Sequence, residues 1–536
     1  MPYKIFVTDE IDPEGSALLS AVPEFDVTVS PTLPAAELLT VISEYDAIVG
    51  RSATKISEPL LRAGTKLRVV GRAGVGVDNI ALEVATELGI AVINAPAGNT
   101  IAVAELFFAS VIGLLRHIPR AATSIQEGKW ERANFLGTEL LGKTLGIVGV
   151  GRIGGEVAKR AHAFGMQIIG YDPYISDDRF AGLRVKRCHS LDVLLGASDF
   201  VTVHTPLTEE TTGLIGAPQL ALLRRGAVVA NLARGGIIDE PALIAALRSG
   251  HIGGATLDAF TKEPLTGEHA WRGVPNLLLT PHIGASTAEA QRNVAVDVCH
   301  AVRDALLNNE LSRSLNVAES GGDWQTLQSA LLVARRSAAV ARAILAERGA
   351  KAISSISIRV GVEFSQGHGP LLSSAVVGAL ESVVARERLN LINARSVAQS
   401  RGIELTVAEG GVPPHSRAVE VRIRAGDQEM RVGGVAALDA PPRITRIGDF
   451  HVDVAPRGTL VVLTNKDVPG VIGRVGTVLG DATVNIAEYH QARLAQGGEA
   501  LAVISVDGAP GDSVRQALLA LPDVHTATIV QFGASA

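Results

Sequence analysis

One stretch constrains this chain more than any other. The run Thr144–Val148, TLGIV, is short and apolar, and Gly149-Val150-Gly151-Arg152-Ile153-Gly154 follows at once and opens the helical pattern GGEVAKRAHAF. A strand that turns on glycines into a helix offers that helix's unpaired amides and positive dipole end to an anion. Gly149 permits the tight turn, Gly151 lets the backbone approach a pyrophosphate, and Gly154 allows close packing of helix on strand. Asp172 ends the next strand, 172 − 154 = 18 residues beyond the last glycine, where a carboxylate accepts hydrogen bonds from an adenosine ribose. Pro173 and Tyr174 follow it without an adjacent cation, so a 2′-phosphate would meet unopposed negative charge. The motif predicts a dinucleotide-binding unit that prefers NAD over NADP.

Around that unit the texture repeats. At 536 residues the chain is too long for one core, and three or four separately cored units are expected. Strand-like runs KIFVTDE, DVTVS, DAIVG, LRVVGRAGVG and AVINAP alternate with helical segments, and the alternation restarts at TLGIVGVG and runs to NLLLTPHIG. This is the pattern of βαβ units, and it predicts an α/β protein with two doubly wound parallel sheets in tandem. Beyond His282, Ser286 and Thr287 offer N-caps for the amphipathic AEAQRNVAVDVCHAVRDALLNN, which is expected to pack back on the first sheet. The expected domains are therefore 1–98 with 289–316 for substrate, and 99–288 for the nucleotide. Residues 317–452 read as an α+β intervening unit, and 457–532 as a βαββαβ, ferredoxin-like unit.

Composition excludes several classes of function. Lys plus Arg is 49 and Asp plus Glu 55, so the net charge of −6 leaves no basic surplus for nucleic acid or an anionic membrane. Cys188 and Cys299 are too few for a disulfide framework or an all-thiolate zinc site, and no metal is expected. The start MPYKIFVTDE has no apolar signal core, and the apolar stretch 106–115 is about half of what spans a bilayer, so a cytoplasmic location is expected.

Three polar residues stand at the carboxyl ends of predicted strands in the second sheet, the edge where open α/β folds bind ligands. Arg234, among small residues in NLARGG, suits a two-bond grip on a carboxylate. His282 follows Thr280-Pro281 and suits acid–base work near neutrality, and Glu263 is placed to hold the second nitrogen of that imidazole. An arginine anchor and a His–carboxylate pair beside a nicotinamide describe hydroxy-acid dehydrogenation.

At this point the motifs match a known family. RSATK (51–55), GRAGVGVDN (71–79), GKWER (128–132), the Gly149 loop, NLARGGIIDE (231–240), LDAFTKEP (257–264) and PHIGAST (281–287) resemble the D-2-hydroxyacid dehydrogenases, most closely their long, four-domain branch. That resemblance implies NAD-dependent oxidation of 3-phosphoglycerate to 3-phosphohydroxypyruvate, the entry to L-serine. It implies His282 as the base for the C2 hydroxyl, Glu263 as its orienting partner and Arg234 on the carboxylate. It places Gly149, Gly151, Arg152, Ile153, Gly154, Asp172, Thr205 and Asp258 on the cofactor, with Asp258 at the nicotinamide carboxamide. Arg51, Arg72, Gly74, Gly76 and Val77 fall on the substrate side, with Arg234 and His282. The last unit resembles an ACT domain, with Asn465, Asp467 and Asn485 where serine binds in regulated members, although Asn465 stands where His or Tyr is expected. Arg443 and Arg446 are a candidate anion site in the third unit. A homotetramer is implied, and the apolar segment within 99–130 suits a subunit interface. Two alternatives stay open: a dehydrogenase of another D-2-hydroxy acid, and an NAD-sensing scaffold.

Overall fold

The computed structural model describes residues 2–318, 324–384, 389–408, 415–438 and 440–532. Near the N-terminus five parallel strands lie in the spatial order Phe25–Val29, Tyr3–Val7, Ala47–Gly50, Val69–Arg72, Ala91–Asn94. Such a sheet is buried on both faces, which is why its strands read as unbroken apolar runs such as AIVG and AVIN. The order reverses between Tyr3–Val7 and Ala47–Gly50, and a crevice opens at the carboxyl ends of strands at such a switch point.

The second sheet is also parallel, seven strands in the order Leu277–Leu279, Ile252–Leu257, Ala227–Asn231, Phe200–Val203, Thr144–Val148, Gln167–Tyr171, Lys186–Arg187. Its switch point falls between Thr144–Val148 and Phe200–Val203, so the glycine turn after Val148 opens into the crevice. Helices Thr100–Leu115 and Arg152–Ala163 share one face of this sheet. Helix Glu240–Arg248 packs on the other.

As expected, Thr287 caps the helix Ala288–Asn308, its hydroxyl accepting from Ala290 N at 3.1 Å. That helix returns to the first sheet, where Val294, Val298 and Val302 share a core with Ile5, Val49 and Ile93. The chain then closes along the same sheet, Leu315 N donating to Val92 O and Asn316 accepting from Val92 N. The two α/β units thus face each other across a cleft crossed near residue 97 and again near 286.

A six-stranded mixed sheet follows, in which Ile353–Val360 runs parallel to Glu404–Val407 and the other pairings are antiparallel. Helix Trp324–Glu347 lies over it and crosses His368–Leu380 at Gly378, where a Cβ would come within 1.9 Å of Arg335 O. The last unit orders Ile486–Arg493, Glu499–Val506, Thr459–Lys466, Val524–Gln531 antiparallel, with helices Val471–Asp481 and Asp512–Leu519 in the βαββαβ sequence read from the chain. The opposite face of this sheet, through Leu460, Val462, Leu501 and Val503, shares the third unit's core, and Arg336 lies 4.6 Å over the Phe532 ring.

Among the described residues no single helix is long and apolar enough to cross a membrane. The apolar Thr100–Leu115 is instead a core helix, with Val103, Phe107 and Val111 buried against the second sheet.

Candidate active site

The glycine turn has the shape its sequence predicts. Gly149 adopts φ +88°, open to glycine at no steric cost, and a Cβ on Gly154 would lie 2.1 Å from Gly149 O. A Cβ on Gly151, by contrast, would meet nothing within 4 Å. The space over Gly151, at the amino end of helix Arg152–Ala163, is where a pyrophosphate would lie, and Arg152 and Ile153 supply the first amides of that helix. Asp172 closes the adjoining strand and accepts from Val150 N and Tyr174 N, each at 3.0 Å, which fixes its carboxylate beside the turn. On the other side of the switch point, Thr205 presses its methyl toward Gly149, and its buried hydroxyl has no partner in the protein. These features fit a dinucleotide.

At the far end of the same sheet the catalytic candidates converge. His282 Nδ1 lies 2.8 Å from Glu263 Oε2, while Glu263 Oε1 accepts from Phe260 N at 2.9 Å. The carboxylate is held by backbone, so it orients the ring rather than following it. His282 itself has φ +54°, a left-handed conformation uncommon for a non-glycine residue. Asp258 holds that turn in place. Only 1% exposed, its carboxylate accepts from Thr280 Oγ1 at 2.6 Å, Ile283 N at 2.8 Å and Gly284 N at 2.7 Å. The residue expected at the nicotinamide therefore also ties down the backbone of the expected base.

Arg234 reaches across the cleft. Its Nε donates to Asp78 Oδ2 at 3.1 Å, and a Cβ on Gly76 would fall 1.9 Å from its Nη2. The turn beneath it is fixed by Asn231, whose side chain accepts from Ala233 N and donates to Arg234 O. Gly74, with φ +159°, lies against the Arg72 guanidinium, and Gly74 O accepts from Ala95 N. Val77 is half-buried in the apolar layer below the same loop. Arg72 is largely buried, and burial, reinforced by repulsion from Arg51 and Arg234 and opposed by Asp9 and Asp78, pushes its pKa down to about 10. Arg51 and Arg234 thus both bear on Arg72, and the three cations gather at the 72–78 loop.

Sequence reading passed over the residues that shape this cluster. Asp9, 7% exposed and with φ +64°, accepts from Arg51 N, Thr54 N, Thr54 Oγ1 and Thr32 Oγ1. Asn79 donates to Arg51 O and Thr54 O. The available signal was position alone: Asp9 lies two residues past the strand that pairs with the one before Arg51.

The expected effector residues do not meet within one chain. Asn465 is buried and donates to Lys466 O, and Asp467 accepts from Arg493 and Gly497 N at the same end of the sheet. Asn485 bonds Asp507 at the opposite end, where Thr459, Val506 and Ile486 are in register. Arg443 and Arg446, read as an anion site, are occupied by carboxylates: Asp453 and Glu488 for the first, Asp449 for the second.

Comparison with known proteins decides the family. Residues 108–284 match the family described as D-isomer specific 2-hydroxyacid dehydrogenase, NAD binding domain, and residues 344–448 match the D-3-phosphoglycerate dehydrogenase intervening domain. A D-3-phosphoglycerate dehydrogenase of Synechocystis is 38% identical over 98% of this chain and 94% of its own length. That of Bacillus subtilis is 35% identical over 98% of this chain and 99% of its own. The chain belongs to the D-3-phosphoglycerate dehydrogenase family. It is an NAD-dependent dehydrogenase. Among solved structures, a glyoxylate reductase from Paecilomyes thermophila is 32% identical with a TM-score of 0.54, over 59% of this chain and 99% of that one. An NAD+-bound 3-phosphoglycerate dehydrogenase from Entamoeba histolytica is 28% identical with a TM-score of 0.50, again over 59% and 99%.

Proposed function

We propose that the cleft oxidises the C2 hydroxyl of 3-phosphoglycerate to a ketone, giving 3-phosphohydroxypyruvate. The observation that carries this reading is the arginine cluster. A substrate with both a carboxylate and a phosphate suits a site where Arg51 and Arg234 both act on a largely buried Arg72, whereas a plain 2-hydroxy acid needs one arginine.

Each residue has a part. Arg234 grips the carboxylate, and Arg51 and Arg72 receive the phosphate. His282, its side chain 48% exposed to the cleft, donates Nδ1–H to Glu263 and turns Nε2 to the hydroxyl as base. Glu263, held by the Phe260 amide, keeps the ring in that orientation. A bound NAD would supply the hydride acceptor for C2; Arg152, Ile153, Asp172 and Thr205 would hold its adenosine and pyrophosphate, and Asp258 would lie on the nicotinamide side.

The division into 1–98 with 289–316, 99–288, 317–452 and 457–532 belongs to the same reading. So does an ACT identity for the last unit. The end of the sheet with Asn465 and Asp467 is six residues, about 20 Å at strand rise, from the end with Asn485. A serine site using all three is therefore assembled from two copies. A homotetramer accords with exposed apolar residues Ile118, Ile125, Trp130 and Leu136, which cluster in one stretch of the nucleotide unit. A cytoplasmic location accords with Cys188 and Cys299 being free and buried.

The test is the initial rate of NAD reduction with 3-phosphoglycerate beside D-glycerate, D-lactate and D-2-hydroxyglutarate, each with and without L-serine. A clear preference for 3-phosphoglycerate is expected. Turnover of another acid alone keeps the chemistry and overturns the substrate, and NAD binding without turnover of any of them points to a scaffold.

A further inference from the structure

The first sheet's switch point holds a buried carboxylate that the dehydrogenation does not use. Asp9 follows the strand Tyr3–Val7, and the 51–54 loop follows its neighbour Ala47–Gly50. Asp9 Oδ2 accepts from Arg51 N at 2.8 Å and Thr54 N at 2.9 Å, and its Oδ1 accepts from Thr54 Oγ1 at 2.5 Å and Thr32 Oγ1 at 2.8 Å. From below, Asn79 Nδ2 donates to Arg51 O at 3.1 Å and Thr54 O at 2.7 Å. Two side chains thus fix both ends of a four-residue loop whose first member carries a guanidinium. Backbone conformation agrees: Asp9 and Glu10 are left-handed at φ +64° and +48°, uncommon for non-glycine residues and sustained by the bonds the carboxylate makes.

We infer that Asp9 is a positioning residue for the phosphate end of the substrate, selecting the phosphorylated acid by holding the 51–54 loop in the shape that presents Arg51 beside Arg72. The inference rests on the reading that 3-phosphoglycerate is the substrate. Asp9 does not touch the phosphate, because its oxygens face inward on amides and hydroxyls. Its charge also acts at a distance, favouring the protonated form of Arg72 against burial and against Arg51. The same carboxylate therefore shapes one cation's loop and steadies the charge of the other. Its own pKa is lowered, the hydrogen bonds from Thr54, Thr32 and Arg51 outweighing burial, so it is ionised at neutral pH.

The experiment compares wild type, Asp9→Ala and Thr54→Val with two substrates that differ by the phosphate alone, 3-phosphoglycerate and D-glycerate. Asp9→Ala removes the acceptor that Arg51 N and Thr54 N share, and Thr54→Val removes one bond without changing charge. Orphaning the two buried amides predicts a rise of about 10- to 100-fold in KM for 3-phosphoglycerate with Asp9→Ala, and a smaller rise in the same direction with Thr54→Val. The kcat, its pH profile, the NAD affinity and the KM for D-glycerate stay within about threefold, as His282 and Arg234 are untouched. Equal losses on both substrates, or a fall in NAD affinity, overturn the inference in favour of a general folding role. An unchanged preference in both variants overturns it as well. A wild type that does not prefer 3-phosphoglycerate removes the proposed substrate and this inference together, and is seen before any variant is read.

Discussion

Gly76→Ala tests whether Arg234 works from where the structure puts it. An added Cβ would lie 1.9 Å from Arg234 Nη2 and 2.8 Å from Asp78 Oδ2, while ordinary non-bonded contact begins near 3.5 Å. The guanidinium therefore has to move by about 1.5 Å, and a 1 Å misplacement of a positioning group is enough to lose roughly 10²-fold. A charge-assisted hydrogen bond is worth about 1.5–3 kcal/mol, so losing the grip on the carboxylate predicts a rise of about 10- to 150-fold in KM for the hydroxy acid. The obstacle is the far end of a flexible side chain rather than backbone, and Gly76 does not adopt a left-handed φ, so the fold survives. Steady-state kinetics with varied hydroxy acid, NAD binding by fluorescence and a thermal melt together make the assay. Only the first should change by more than about twofold. An unchanged KM, or equal losses of NAD affinity and melting temperature, refutes the placement of Arg234 over Gly76.

His282→Ala should lower kcat by about 10²–10⁴ and leave NAD affinity nearly intact, as measured by stopped-flow and equilibrium binding; unchanged turnover removes the base from His282. Asp172→Ala should weaken NAD and narrow its margin over NADP, and identical KM values for both cofactors in variant and wild type would end the ribose role. His204, part-buried beside Thr202, has its pKa lowered by loss of solvent to about 4. The unfolded chain thus binds a proton from about pH 6.5 downward that the native chain refuses until about pH 4, so stability falls with pH across that window. The contribution is on the order of 3 kcal/mol at 1.36 kcal/mol per unit, and His204→Leu should flatten the denaturation free energy between those limits. A slope equal to wild type would mean that other groups carry the acid sensitivity.

How much of this site was legible depended on whether a residue's work is local. Gly149, Gly151 and Gly154 act through the turn they themselves form, and Asp172 through the strand it follows, so fixed spacing reveals them. Arg234, Glu263 and His282 were placed by their positions at strand ends, and the chemistry of carboxylate and imidazole suggested the pairing of the last two. Asp9 carries no such mark, and Asn79 showed only as the last residue of the GRAGVGVDN motif, without a role. Their partners lie 45 and 28 residues away for the longest of these bonds, and a lone Asp or Asn after a strand reads as a turn residue. Arg443 and Arg446 show the converse, since two nearby cations look like an anion site until Asp453, Glu488 and Asp449 are brought beside them.

The sequence by itself determined the two parallel sheets, the cofactor turn and its preference for NAD. Hydrophobic periodicity and glycine spacing are short-range properties, and the strand order follows from few permitted connections. Only the tertiary structure decided that Arg51 and Arg234 both bear on Arg72 and that Asp9 and Asp258 each hold the loop that presents a charged or basic group. It also decided that Asn465 and Asn485 lie at opposite ends of their sheet. Coulomb interactions and hydrogen bonds reach only a few ångströms, so chain separation says nothing of them until folding fixes which ends meet.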